Sequence, residues 1–491
     1  MYFCQFVVKI YGYCETHGGG VSQIKDNPAY ILTPIVLDDK GDFRVKNLAN
    51  ELGFKYLSRP NKGEMKKAGN LKYGFENSDS EFIIIFDADF CPRYDFVIES
   101  LPYMEDKKLG ILQTPQFFEI NDAIHKKSKL QFGAGAIQED FYRIIQRSRD
   151  FFGGAICVGT NAVYRRSALE KVGGTYQAEH SEDVLTGFSL LQIGYNIKYL
   201  PIILAKGLCP DEPISFFNQQ YRWCSGSMML MTNVYFWKAK VSFFIKMCYI
   251  SGFLYYITSL LSIIFSFQVF IVLLKFIDTI SLSNAMFFYP YIIFGLIILP
   301  LSRINKPKLG TYIALQTAFW SYSFALFDKI SGKQMGWKVT GGKSIVSKDY
   351  ANLITYFSIY FSLYILFVSI YAYFGYVRVE NYNHYSILFW IVYNIVFNLI
   401  LLFTLYNSVL KKIEISVTSN FVNRWRIQSF ITVCVCLVIF SFSGYTLSNR
   451  LVNNSQVLGV FNSRNKVDTI KITEVKVISS TYSISSLSAK R

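Results

Sequence analysis

The chain has 491 residues, 52% of them hydrophobic, with 44 Phe and 35 Tyr; this excludes an ordinary water-soluble protein, and the abrupt change in composition near Lys246 indicates two halves in different solvents. The net charge of +16 is spread through the first half without a basic tract or a nucleic-acid module, so nucleic acid is not expected as a partner. Nine cysteines lacking any CxxC pair argue against a zinc site, and a disulfide framework is not expected where most of them lie, in a half placed in the cytosol.

In chain order, residues 1–20 lack the basic start and small-residue cleavage site of a signal peptide. An apolar strand follows at ILTPIVLDD, a helical pattern at DFRVKNLANELG, then KYLSRP, and a very apolar strand at EFIIIFDADF. Strands alternating with helices predict an α/β domain with a mainly parallel sheet and helices on both faces. Ligands of such sheets bind beyond the carboxyl ends of the strands, where Asp38–Asp39 and Asp87-x-Asp89 fall. Two aspartates one residue apart at a strand end can both face a hard cation, and magnesium is bound by one or two carboxylates plus substrate phosphates.

Beyond Lys246, uncharged runs occupy 247–274, 279–302, 309–327, 351–377, 381–410 and 427–449, each long enough for a helix to cross a hydrocarbon core. Arg303, Lys306 and Lys308 form one basic connector, Lys329 to Lys348 a second, and Lys411, Lys412, Arg424 and Arg426 a third. The positive-inside rule places all three in the cytosol. Both ends of 309–327 then lie on one side, so this run is expected to be interfacial, leaving five crossings and residues 450–491 outside.

Five separated motifs follow in order: VLDD (Val36–Asp39), KAGN (Lys67–Asn70), DAD (Asp87–Asp89), SED (Ser181–Asp183) and QQYRW (Gln219–Trp223). With QTPQ at Gln113–Gln116 and GTNAVYRRSALEKVGG at Gly159–Gly174, they make the chain resemble the processive family 2 glycosyltransferases of the cellulose-synthase kind, from about Ile31 to Leu410. The resemblance implies a GT-A-type, Rossmann-like cytosolic domain over 1–245, followed by an α-helical transmembrane domain over 246–449 in the plasma membrane.

It further implies that Asp38 or Asp39 holds the uridine of a UDP-sugar and that Lys67 approaches the nucleotide side of the donor pocket. Asp87 and Asp89 would bind the diphosphate through Mg2+ or Mn2+, and Asp183 would be the general base. Arg222 would contact phosphate oxygens, while Gln219 and Trp223 would meet the acceptor, the indole as a flat apolar platform. The segment Trp337-Lys338-Val339-Thr340-Gly341-Gly342-Lys343 resembles the family's gating loop, with Trp337, Val339 and Thr340 closing over the donor within 334–343. The family's YNEP-like segment is represented only by Tyr13–Thr16, so a truncated or divergent amino terminus is expected.

The implied function is inverting, processive synthesis and translocation of a β-linked, cellulose-like polysaccharide from a UDP-sugar, with UDP-glucose as the expected donor. Its partners would be the growing polysaccharide, the lipid bilayer and accessory synthase subunits. The alternatives are transfer of one sugar to a lipid and a catalytically degenerate subunit of a polysaccharide synthase.

Overall fold

The computed structural model describes residues 4–8, 32–276, 309–332 and Leu399. The expected spans at 279–302, 351–377, 381–410 (Leu399 apart) and 427–449, the gating-like loop 334–343 and the tail 450–491 lie outside the described residues. The chain divides into two units, the first containing Met1–Leu260 and Arg303–Ser358, the second beginning at Leu261. In the second unit the described residues are the distal part of one helix and Leu399.

The first unit is built on a seven-stranded sheet. Its strands, in chain order, are β1 (Cys4–Val8), β2 (Pro34–Asp38), β3 (Lys55–Leu57), β4 (Phe82–Asp87), β6 (Leu109–Gln113), β8 (Ala162–Arg165) and β9 (Asn196–Tyr199), arranged 3-2-1-4-8-6-9. A small second sheet joins β5 (Phe90–Pro92), β7 (Phe117–Phe118) and β10 (Ala205–Gly207). The long sheet is mixed: β2–β3 and β6–β9 pair in parallel, whereas every pairing of β1 or β8 is antiparallel. The expectation of a mainly parallel ladder is corrected accordingly. Five strands do share one direction, but β8 returns from a helical excursion after β6 rather than through a simple crossover, and so enters reversed.

The central strand β4 shows why the sheet is a core element. Ile83, Ile84, Ile85 and Phe86 are all buried, the near-continuous apolar run expected when both faces are covered. Helices α1 (Phe43–Glu51), α2 (Lys66–Glu76), α3 (Phe96–Ser100), α4 (Asp122–Lys127), α5 (Lys129–Asp140), α6 (Arg147–Phe151), α7 (Arg166–Lys171) and α8 (Glu182–Gln192) are interleaved with the strands, and a π-helical turn at Phe141–Gln146 joins α5 to α6. α1 starts where Asp42, the N-cap, accepts from the Arg44 backbone N–H at 3.0 Å. In α2, Gly74 rests against the Leu37 side chain of β2, at a separation that would not admit a Cβ.

The helices α9 (Pro213–Met231), α10 (Val234–Lys238) and α11 (Phe243–Phe276) lead toward the apolar half. Over Phe243–Leu261, α11 is long and apolar enough to cross a membrane, with only 17% of that window buried. Among the described residues a last helix, α12 (Leu309–Ile330), packs on α5 and α9. Gly133 of α5 and Gly310 of α12 set the first contact, since a Cβ at Gly133 would overlap the Gly310 carbonyl and one at Gly310 the carbonyl of Lys129. The second contact is polar: the Tyr221 hydroxyl donates to Asp328 at 2.8 Å, and the Tyr322 hydroxyl to Gln220 at 2.6 Å. Asp328 is buried there, so α12 carries a specific polar seam against α9.

Candidate active site

Four sequence segments meet at the carboxyl edge of the sheet, and Lys67 is their hub. Its ammonium donates to Asp87 Oδ1 at 2.5 Å and to the Gly159 carbonyl at 2.9 Å, with Glu182 at 4.0 Å. Burial pulls the ammonium's pKa down, but Asp87, Glu182 and Asp183 more than offset it and hold Lys67 above the usual lysine range. The rest of KAGN is explained by packing. Ala68 is fully buried, a Cβ at Gly69 would overlap the Arg59 guanidinium and the Glu64 carbonyl, and Asn70 donates to the Leu37 carbonyl at 3.4 Å.

The adjacent aspartates after β2 have different surroundings. Asp38 is 0% exposed and accepts from the Lys40 and Asp42 backbone N–H groups and from the Tyr56 hydroxyl at 2.9, 2.7 and 2.8 Å. It closes the turn into α1. Asp39 is partly open and gripped by the fork of Arg59 at 2.5 and 2.9 Å, with the Gly63 N–H at 3.1 Å. Arg59 itself is 1% exposed.

Asp87 is anchored through its backbone N–H, which donates to Thr160 Oγ1 at 2.9 Å. At Asp89, just past the end of β4, desolvation of the carboxyl group first, and the Asp87 charge second, lift the pKa to about 6. A divalent cation fits this pair. Two crowded carboxylates, one of them lifted, are relieved by a positive charge, and among the described residues no cluster of three or more ligating side chains forms a protein-only cage. That leaves coordination positions for a diphosphate.

The loop Val158–Asn161 is clamped by QTPQ. The Gln113 amide accepts from the Val158 N–H at 2.9 Å and donates to the Thr160 carbonyl at 2.8 Å, while Thr114 Oγ1 donates to the Asn161 carbonyl at 2.8 Å. Gly159, with φ of +78°, lies so close to Asp183 that a Cβ would sit 2.7 Å from its Oδ2. Asp183 accepts from the Val184 N–H at 2.8 Å; burial raises its pKa, with Lys67 opposing. Glu182 beside it is raised for the same first reason and then by Asp183. The four non-glycine residues with positive φ among the described residues, Met65, Lys66, Asn161 and Ser181, all border these motifs. Such conformations cost of order 1–3 kcal/mol each and persist where surrounding structure enforces them.

α9 supplies the last side. A Cβ at Gly226 would overlap the Ser181 side chain, so that glycine lets the SED turn seat on α9 one turn beyond Arg222 and Trp223. Arg222 stands within electrostatic reach of Asp87, Glu182, Asp89 and Asp183; burial lowers its pKa and those four carboxylates oppose the change. Gln219 and Trp223 are half-buried, whereas the neighbouring Gln220 and Tyr221 are buried in contacts with α12. His180, ahead of the SED turn, is buried and held down to about 4, by burial and then by Arg222. Arg59, Glu182 and the Gln113 clamp extend the predicted site. Each lay inside a segment visible in the sequence, but the partner that gives it a role is distant in the chain.

A sheet whose carboxyl edge gathers paired aspartates, a buried carboxylate and an opposing lysine and arginine has the make-up expected of a GT-A-type fold. Residues 82–322 match the family described as Glycosyl transferase family group 2. The chain is 35% identical over 208 residues to the cellulose synthase catalytic subunit (UDP-forming) of Pseudomonas fluorescens, covering 42% of this chain and 28% of that protein. It is 31% identical over 220 residues to cellulose synthase 1 of Komagataeibacter xylinus, covering 44% of this chain and 14% of that protein. It thus spans little more than a quarter, at most, of the length of these two relatives. Among solved structures, a mannosyltransferase from Pyrobaculum calidifontis in complex with GDP-Man and Mn2+ aligns with a TM-score of 0.44 at 14% identity, covering 61% of this chain and 78% of that one. Residues 82–322 thus resemble a family 2 glycosyltransferase domain, and the two relatives named above are cellulose synthases.

Proposed function

We propose that the protein is a membrane-embedded, inverting glycosyltransferase that extends a β-linked polysaccharide from a UDP-sugar, with UDP-glucose the favoured donor. The observation that carries this reading is the convergence of Asp87, Glu182 and Asp183 on Lys67, opposite Arg222. In this reading Asp39, not the turn-closing Asp38, contacts the nucleotide, and Arg59 holds it in place. Asp87 and Asp89 hold a divalent cation, which when bound would neutralise the diphosphate and make it a better leaving group. Asp183 accepts the proton of the acceptor hydroxyl as that oxygen attacks the anomeric carbon, and its raised pKa suits a base working near neutrality. Lys67 keeps the Asp183 carboxylate ionised and holds Asp87 by its ion pair. Arg222 receives the departing phosphate charge, and Gln219 and Trp223 cradle the terminal acceptor sugar.

Multiple membrane crossings by the apolar half, donor closure by Trp337, Val339 and Thr340, and passage of the product through the spans complete the proposal. Its test is incubation of membranes containing the full chain with radiolabelled UDP-sugars and Mg2+, followed by product sizing and linkage analysis. Long β-linked polymer that disappears in Asp183→Asn supports the reading. A single sugar on extracted lipid would replace it with one-step transfer, and no donor turnover would make the chain a degenerate subunit.

A further inference from the structure

Arg149 is a cation that the site chemistry leaves unused. It is 8% exposed, and no carboxylate among the described residues pairs with it; the neighbouring Asp150 is bound instead to Lys198 and the Tyr199 N–H. Its Nε has no hydrogen-bond partner, and one of its terminal nitrogens donates weakly to Ser251 Oγ at 3.4 Å. Gly252 of α11 makes the approach feasible, since a Cβ there would lie 2.8 Å from that nitrogen. The guanidinium also lies over the Phe141 ring, 6.0 Å from its centroid, but a buried guanidinium without a counter-charge is costly unless an anion completes it.

The surface around Arg149 is equally unusual. Ile144, Ile145, Phe151 and Phe152 are exposed on the π-turn and α6, and Phe244 and Met247 are exposed on α11. They form connected ground: Phe152 stacks on Phe244 with ring centroids 5.5 Å apart. Phe151 is 84% exposed, so the patch is not a core edge. Ser251, the hydroxyl beside Arg149, is exposed on the same side of α11 as Met247 and Leu254. Arg147 is exposed nearby on α6, and Lys246 is anchored to the Trp237 carbonyl at 2.9 Å. An apolar aromatic face bordered by cations, continuous with a helix apolar enough to cross a bilayer, has the make-up of a surface immersed at the headgroup level.

We propose that this face lies in the cytoplasmic leaflet and that Arg149, with Ser251, binds the phosphate of an anionic phospholipid. The proposal rests on the membrane embedding of the reading above, but not on its chemistry. The ring-bearing side chains enter the acyl boundary, and the guanidinium and hydroxyl meet the phosphodiester at its edge, which supplies the counter-charge that the protein withholds.

The full chain, reconstituted in nanodiscs of phosphatidylcholine mixed with phosphatidylglycerol and then extracted into neutral detergent, should carry phosphatidylglycerol in excess of its share of the mixture. In Arg149→Met the retained phosphatidylglycerol should fall roughly ten-fold, the size expected for a lost charge-assisted hydrogen bond, with phosphatidylcholine unchanged. A nitroxide at position 152 should collide with dissolved oxygen more readily than with a water-soluble nickel complex. Equal retention of both lipids by the unmodified chain would overturn the proposal without recourse to any variant. So would displacement of the lipid by inorganic phosphate, which would make the ligand a free anion. A nitroxide shielded from both quenchers would mean that other segments of the chain cover the face, and would overturn it too. Lipid retention is counted independently of sugar transfer, so an inactive chain that holds phosphatidylglycerol would sink the enzymatic reading and leave this one standing.

Discussion

Lys67 and Arg149 are both buried cations, and the protein treats them in opposite ways. Lys67 is ringed by Asp87, Glu182 and Asp183, and its pKa rises despite burial. Arg149 pairs with no carboxylate among the described residues, its neighbour Asp150 being bound to Lys198, and burial lowers its pKa against opposition from Tyr249, Cys248 and Tyr256. The first cation is over-compensated by three carboxylates, which the proposed function makes the working groups of the site. The second is under-compensated within the fold, and the proposed lipid phosphate supplies the anion from outside.

The largest test of this contrast is Asp183→Asn. It should lower sugar transfer by about 10²–10⁴-fold, the usual contribution of a positioned base, while binding of UDP-sugar measured by calorimetry stays near its original level. Equal loss of donor affinity would show that Asp183 belongs to the donor site. Asp89→Asn should instead abolish the dependence of turnover on added Mg2+ and weaken donor binding.

A smaller effect, with a definite sign, is expected in the pH profile. Asp183 and Asp89 must be ionised to act, and both are raised, Asp89 to about 6. Activity should therefore fall as the medium is acidified through a limb lying above the ordinary carboxylate range near ~4. Lys67 opposes the rise at both groups, so Lys67→Met should move this limb to higher pH as well as slow the reaction. A limb that stays in place would separate Lys67 from the base.

The mildest change should come from the other cation. A buried charge without a counter-ion carries a desolvation cost that an apolar side chain of similar length does not. Arg149→Met should thus raise the melting temperature in neutral detergent, and the gain should vanish when anionic phospholipid is supplied. A lower melting temperature in detergent would mean that Arg149 is already satisfied within the fold.

Much of the acidic cleft was legible because its residues lie at strand ends. EFIIIFDADF contains both the buried strand and the carboxylates that its termination exposes, and the KAGN lysine falls at the start of a helix. What could not be read was which of two adjacent aspartates is spent locally. Asp38 and Asp39 differ only through Tyr56 and Arg59, on and just after a neighbouring strand, and strand pairing is a tertiary fact. The reversed direction of β8 was hidden for a related reason: GTNAVYRR has the same alternation whichever way it runs. The run 309–327 was recognised as apolar, but its seam with Gln220 and Tyr221 joins residues about a hundred positions apart.

The glycine contact between Gly133 and Gly310 also bears on how the protein is made. The catalytic domain is discontinuous: α5 and α9 emerge early, but the helix that covers them starts at Leu309, roughly sixty residues after Lys246. At synthesis rates of about 5–20 residues per second, Tyr221 and Gln220 wait several seconds on the nascent chain for Asp328 and Tyr322. During that interval α11, long and apolar enough over Phe243–Leu261 to cross a membrane, has already emerged ahead of the helix that completes the domain. A chain stopped at the compositional boundary would leave α9 with one face unclosed, making residues 309–330 the chain's own final folding step for the domain at its front.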